Sequence, residues 1–190
     1  MRIWDITPFP ENKLWQYFCE RKMPVPSLPY DRAAAVAYAK RWALDRNPRY
    51  YDFSHLGGDC TNFASQCILA GCDGRMNFTP VLGWYYRSLN NRAPAWTGVE
   101  FLMRFLTRTK EDTGPFARLA PLSSCLPGDL IQLRFPGSEH FGHSPVVVAV
   151  NTPPTPEHIL LAAHSDDAWR RPLSSYRYQE ARCLHLLGFR

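Results

Sequence analysis

The sequence predicts an α+β domain in which N-terminal helices pack on a C-terminal antiparallel sheet. Three observations carry this expectation. Alanine-rich and helix-period text fills the stretch from Asp31 to about Arg108, four short β-rich runs lie past Cys125, and proline- and glycine-bearing turns separate those runs. Helices first and strands afterwards is the order of an α+β domain rather than of alternating βαβ units.

The elements follow in order. Residues 1–29 are proline-rich (Pro8, Pro10, Pro24, Pro26, Pro29) and read as an N-terminal extension, a short helix around Glu11 to Lys22 followed by an extended connector. Residues 30–190 read as one domain. DRAAAVAYAKRWAL opens on Asp31, which can cap orphan amides, and predicts a helix with Ala34, Ala37, Tyr38, Arg41 and Trp42 on one face, stopped by Asn47-Pro48. A second helix is expected after the Gly57-Gly58 turn, a third around Tyr85 and a fourth in WTGVEFLMRFLTR. LPGDLIQLRF, HSPVVVAVN, EHILLAAHS and ARCLHLLGF are the four strand runs, with TPPTP as the hairpin loop between the second and third. No internal repeat or low-complexity segment interrupts them.

Composition narrows the function classes. A chain of 190 residues is one ordinary domain, and 45% hydrophobic with 21% charged residues excludes a disordered chain. Apolar runs such as Val146 to Val150 fall far short of the roughly 20 residues a membrane helix needs, so no membrane insertion is expected. MRIWDITPFPENKLW carries charges where a signal peptide is greasy, so no export signal is expected from the text as it begins, and location and oligomeric state stay open. The formal charge of +5, from 22 basic and 17 acidic residues, is scattered rather than striped. That suits anionic surroundings but not a nucleic-acid partner.

The six cysteines are Cys19, Cys60, Cys67, Cys72, Cys125 and Cys183. They are too sparse for a disulfide-stapled mini-protein and contain no C-x-x-C pair for zinc, so no metal and no cofactor is expected. His140 and His143 form an H-x-x-H pair on a loop and strand, not on a helix face, and are not read as a metal pair. Whether Cys67, Cys72, Cys125 or Cys183 pair is left open.

Cys60 stands apart. In GGDCTNFASQCILAGC the glycines make a tight turn and Asp59 is a good N-cap, which places Cys60 in the first turn of a helix whose apolar stripe is Phe63, Ala64, Cys67 and Ile68. A thiol at a helix N-terminus feels the positive end of the dipole and free amides, a setting that lowers its pKa when a histidine helps and that can hold an oxyanion. Two histidines are candidates to reach it. If Asn151 faces His158 in a hairpin, His143 lies opposite Asp166 and His164 opposite Pro145, so His143, His164 and Asp166 project from one face at one end of the hairpin. A one-residue register slip breaks that geometry.

NPRYYDFSHLGGDCTNFASQCILAGC, WTGVEFL, PGDLIQL, GHSPVVV and AAHSDD, in this order, resemble the putative amidase domain family, from about Tyr30 to the C-terminus. That family is read as a branch of the papain-like cysteine hydrolases, related to NlpC-type cell-wall endopeptidases and to cysteine, histidine-dependent amidohydrolases and peptidases. The resemblance implies a papain-like fold, bacterial origin, Cys60 as nucleophile, His143 as general base and His164 as the third polar residue. It also implies Tyr51 as an aromatic hydroxyl near the oxyanion. The substrate it implies is an amide or peptide bond, peptidoglycan stems first, and relatives of this kind are typically exported. With 6 Trp, 9 Tyr and 11 Phe in the chain, Trp84 and Trp96 are candidate groove residues beside the core reading of such clusters. Asp59 and Asp166 complete the candidate substrate-side set. Two further readings stay open, a catalytically silent papain-like module that binds cell wall and an acyltransferase using the same thiol and imidazole.

Overall fold

The computed structural model describes residues 27–190, in which helices and one large antiparallel sheet make an α+β fold with a curled, half-barrel sheet. The expected helix around Glu11 to Lys22, and Cys19 with it, lie outside the described residues. Helix α1 (Arg32–Trp42) starts as its sequence dictates, with the Asp31 carboxylate accepting from the Ala34 amide at 2.9 Å. Its buried stripe is Ala35, Ala39 and Ala43, not the expected face through Ala34, Ala37 and Arg41. Small side chains at that stripe let α1 lie close against α2 (Cys60–Gly71), leaving Tyr38 and Trp42 half-buried at the margin.

Helix α2 is buried nearly all round. Asn62, Ser65 and Gln66, expected to point away from the core, are buried too, and each has a specific partner: Trp96 Nε1 donates to Asn62, Trp84 Nε1 to Ser65, and Tyr38 Oη to Gln66. Buried amides and hydroxyls are tolerated because they are hydrogen-bonded. The helix expected around Tyr85 is instead a small hairpin, β2 (Tyr86–Ser88) paired with β3 (Asn91–Arg92). Tyr-Tyr suits a strand better than a helix, and Asn90 lies in the turn. WTGVEFLMRFLTR is broken at Gly98 into α3 (Pro94–Thr97) and α4 (Val99–Leu106).

The four expected strand runs form β5 (Leu130–Arg134), β6 (Val146–Val150), β7 (Ile159–Ala163) and β9 (Glu180–Phe189). Three more strands join them, β1 (Leu28–Pro29), β4 (Pro115–Ala120) and β8 (Ala168–Pro172), in the order β1-β9-β5-β6-β7-β8 with β4 on the other edge of β9. One face of the sheet packs on the helices through Leu130, Val146, Ala162 and Leu184. The other face, with Ile131, Val147, Leu161 and Cys183, is covered by the short turns at Leu122–Ser124 and Leu173–Ser175. Asp129 ties α1 to β9: its buried carboxylate accepts from Arg32 Nη1 (2.7 Å), from His185 Nδ1 (2.8 Å) and from the Leu186 and Leu126 amides. Among the described residues no helix is long and apolar enough to cross a membrane.

Candidate active site

Gly57 and Gly58 take positive φ of 92° and 107°, a turn only glycine makes without strain, and it delivers the chain into α2 with Cys60 as its first residue. Asp59 does not cap the helix with its side chain; its carbonyl accepts from the Phe63 amide, and its fully buried carboxylate turns inward. Oδ1 accepts from the Phe53 amide (2.9 Å) and Asn62 Nδ2 (2.8 Å), and Oδ2 accepts from His164 Nδ1 (2.6 Å). His164 donates through Nε2 to the Trp42 carbonyl at 2.8 Å and stacks on Phe63 at 4.0 Å. Both ring nitrogens are therefore engaged, and neither is left to orient a second imidazole.

The hairpin explains where the histidines fall. At its tip the register is the expected one, with the Asn151 amide donating to the His158 carbonyl and Val150 facing Ile159. A β-bulge at Val148 then shifts the pairing by one, so Val146 faces Ala162. One extra residue flips every side chain beyond it. His164 consequently lies on the helix side, while the His143 ring sits on the opposite side, 5.7 Å from Tyr176 and 6.3 Å from Phe135. The expectation that His143 and His164 share a face is corrected by this bulge.

Cys60 follows Asp59, the partner of His164, in the chain. Its thiol is 7% exposed, 3.7 Å from Thr61 Oγ1, and takes a backbone hydrogen bond from Ser144, the neighbour of His143. Among the described residues no hydrogen bond joins Cys60 to His143. Burial raises the Cys60 pKa despite the help of the Ser144 and Thr61 hydrogen bonds, and Asp59 adds to the rise. The lowering expected from the helix terminus is thus outweighed by desolvation. Burial also lowers His143 to about 4, against a smaller opposing effect of Asp166. Thiol and imidazole are both neutral at pH 7.

His143 opens onto a cleft of about 430 Å³ that includes Gly142, Ser165, Asp166 and Tyr176. Asp166, exposed, is held 2.7 Å from Arg171 in that cleft. Tyr51 is 41% exposed with its ring edge-on to Phe53, and its carbonyl accepts from Asn62 Nδ2 at 3.1 Å. Trp84 and Trp96 are fully buried in the core, their indole nitrogens bound to Ser65 and Asn62, so they line no surface groove. Cys60, Cys67, Cys72, Cys125 and Cys183 are all free and buried, and no cluster of three or more His, Cys, Asp or Glu suited to a metal occurs among the described residues.

Several residues at the site escaped the sequence reading. Ser144 receives Gln132 Nε2 (3.1 Å) and Thr61 Oγ1 (3.4 Å), and Ser165, at φ 78°, accepts from the Asp59 amide at 2.7 Å. The repeated dipeptide His-Ser, at 143–144 and 164–165, is the signal that could have found both. Arg46 grips Asp167 through two 2.9 Å bonds and lies 3.7 Å from Asp59 Oδ2, fastening the β7–β8 turn to the segment before α2.

This arrangement has sequence relatives. The chain is 34% identical over 121 residues, 63% of its own length, to "Uncharacterized protein YhbB" of Bacillus subtilis (strain 168). The aligned region spans 37% of that protein, so the chain is similar to little more than a third of it. No solved structure matches. The model of the putative amidase domain matches residues 29–187, which takes in α1, α2 with Cys60, and both histidine-bearing strand ends, and the chain belongs to that family.

Proposed function

We propose that this chain is a papain-like, cysteine-dependent amidohydrolase in which Cys60 attacks an amide carbonyl with His143 as general base. The observation that carries the reading is a nearly buried thiol at the first residue of α2, hydrogen-bonded to the backbone of Ser144, whose neighbour His143 lines an open cleft. Because both groups rest neutral, the thiol proton passes to His143 as sulfur bonds to the carbonyl carbon, rather than from a preformed thiolate. The oxyanion is held by the free Cys60 amide at the helix start, with Tyr51 as the second candidate donor. The intermediate collapses to a thioester and expels the amine, which takes the proton back from His143. Water then cleaves the thioester, releasing the acid and the thiol. His164 acts on the site through Asp59, fixing the turn that presents Cys60, and is a positioning residue in this scheme.

Peptide stems of bacterial cell wall are the first substrate candidates, on the resemblance to wall endopeptidases and the net charge of +5. Incubating the protein with peptidoglycan and following new amine groups tests this. Release by the wild type and none by Cys60→Ala is expected; equal release by both overturns it. The lack of a Cys60–His143 hydrogen bond favours one alternative, a silent wall-binding module. On that reading Cys60→Ala and wild type bind peptidoglycan equally and neither releases amines. Acyl transfer is separated from hydrolysis by mass spectrometry of products with an added amine.

A further inference from the structure

The cleft beside His143 contains hydrogen-bonding capacity that the protein leaves unused. Arg171 is fully committed, to Asp166 at 2.7 Å and Ser175 Oγ at 2.9 Å, with its guanidinium 4.0 Å over the Tyr176 ring. Arg177 lines the same cleft and has no ion pair, hydrogen bond or stacked ring among the described residues. The Tyr176 hydroxyl is buried, and among the described residues nothing accepts its proton; Arg171, close enough to bond it, can only donate. Burial also raises the Tyr176 pKa, which keeps the group an O–H donor, and His143 adds no charge at pH 7. With Asp166 matched by Arg171, the unmet capacity consists of donors and one positive charge.

We infer that this cleft is a subsite for a carboxylate next to the scissile amide, bound by Arg177 and Tyr176. The inference rests on the hydrolase reading above. A planar carboxylate offers two oxygens to one guanidinium and a remaining lone pair to a phenol, the match for one free arginine beside one orphaned hydroxyl. Two kinds of amide present such a group: peptides with an acidic side chain adjoining the cleaved bond, and peptides whose C-terminal carboxylate lies one residue beyond it. Phe135 and the Tyr176 ring supply the apolar wall along which the intervening carbons run.

Two peptide pairs test it, one exchanging Glu for Gln beside the amide, the other a free for an amidated C-terminus. Turnover is measured with wild type, Arg177→Gln and Tyr176→Phe, and binding by calorimetry with Cys60→Ala. The carboxylate member of at least one pair is expected to be favoured by about tenfold in Kd and KM, the effect of one charge-assisted contact of about 1.4 kcal/mol. Which pair responds identifies the carboxylate's source. Arg177→Gln closes that gap and Tyr176→Phe narrows it. No preference in either pair, or a preference that survives Arg177→Gln, overturns the subsite. A binding gap in Cys60→Ala with no turnover by wild type keeps the subsite and removes the hydrolase reading. Cys60-dependent turnover indifferent to the carboxylate does the reverse.

Discussion

His143 carries the clearest pH signature. Its folded pKa of about 4 lies below the ordinary 6.5, so as pH falls through 6.5 the unfolded chain binds a proton that the fold refuses. Stability is therefore full above about pH 6.5, declines between about 6.5 and 4, and loses nothing further from this group below that; the shift corresponds to roughly 3 kcal/mol. Asp166 and Arg171, the charged groups that face it, pull the pKa in opposite directions. Chemical denaturation across this window should show a slope for wild type that flattens in His143→Gln; an unchanged slope means the imidazole is not desolvated. Asp59 is the second sensitive residue. Replacing it by Ala strands His164 and the Phe53 amide in the core, and a loss on the order of 3 kcal/mol in ΔG of unfolding is expected. A loss under about 1 kcal/mol would show that the Asp59–His164 pair does not anchor the helix start.

At the scale of elements, the turn before α2 and the bulge in β6 decide the site. Gly58 holds φ of 107°, and an added Cβ would meet Ser165 Oγ at 3.1 Å. Gly58→Ala should lower stability by about 1–2 kcal/mol and slow chemistry at Cys60, because the Asp59–Ser165 link shifts with it. Normal stability with normal thiol reactivity would contradict that coupling. Much here was legible in the text: Asp31 and Gly57-Gly58 punctuate the helices, and the β-rich runs mark β5, β6, β7 and β9. The Val148 bulge was not, since VVVAV reads equally well in either register and only packing against α1 chooses. Nor were β4 and β8, as PFARLA and AWRRP carry proline and charge and become strands by pairing with β9 and β7. The face of α1 misread for a similar reason: in a run of alanines, the partner decides which alanine is buried.

Across the molecule, two apolar layers sandwich one sheet, and Asp129 joins α1, β5 and β9 from a fully buried position. Asp129→Ala should cost about 3–5 kcal/mol and depress Tm, because Arg32 loses its counter-ion and His185 Nδ1 and two amides lose an acceptor. A near-wild-type Tm would show that the apolar layers alone hold α1 against β9. The same scaffold makes the cysteines unequal. Cys67 and Cys72 are pushed up by burial, and Cys183 is raised chiefly by its hydrogen bond with Cys125, so all three are inert on this account. Cys60 alone of the five described thiols is hydrogen-bonded to the backbone beside His143, a residue that lines the cleft.

The most direct measurement is the rate of covalent labelling of each cysteine by an acyl-type electrophile, followed by peptide mapping, in Cys19→Ser and Cys19→Ser/His143→Ala proteins. Cys60 is expected to label first, with a rate that drops about tenfold or more when His143 is removed, as loss of a general base requires. Labelling of Cys67, Cys72, Cys125 or Cys183 ahead of Cys60, or a Cys60 rate indifferent to His143, would contradict the Cys60–His143 pairing.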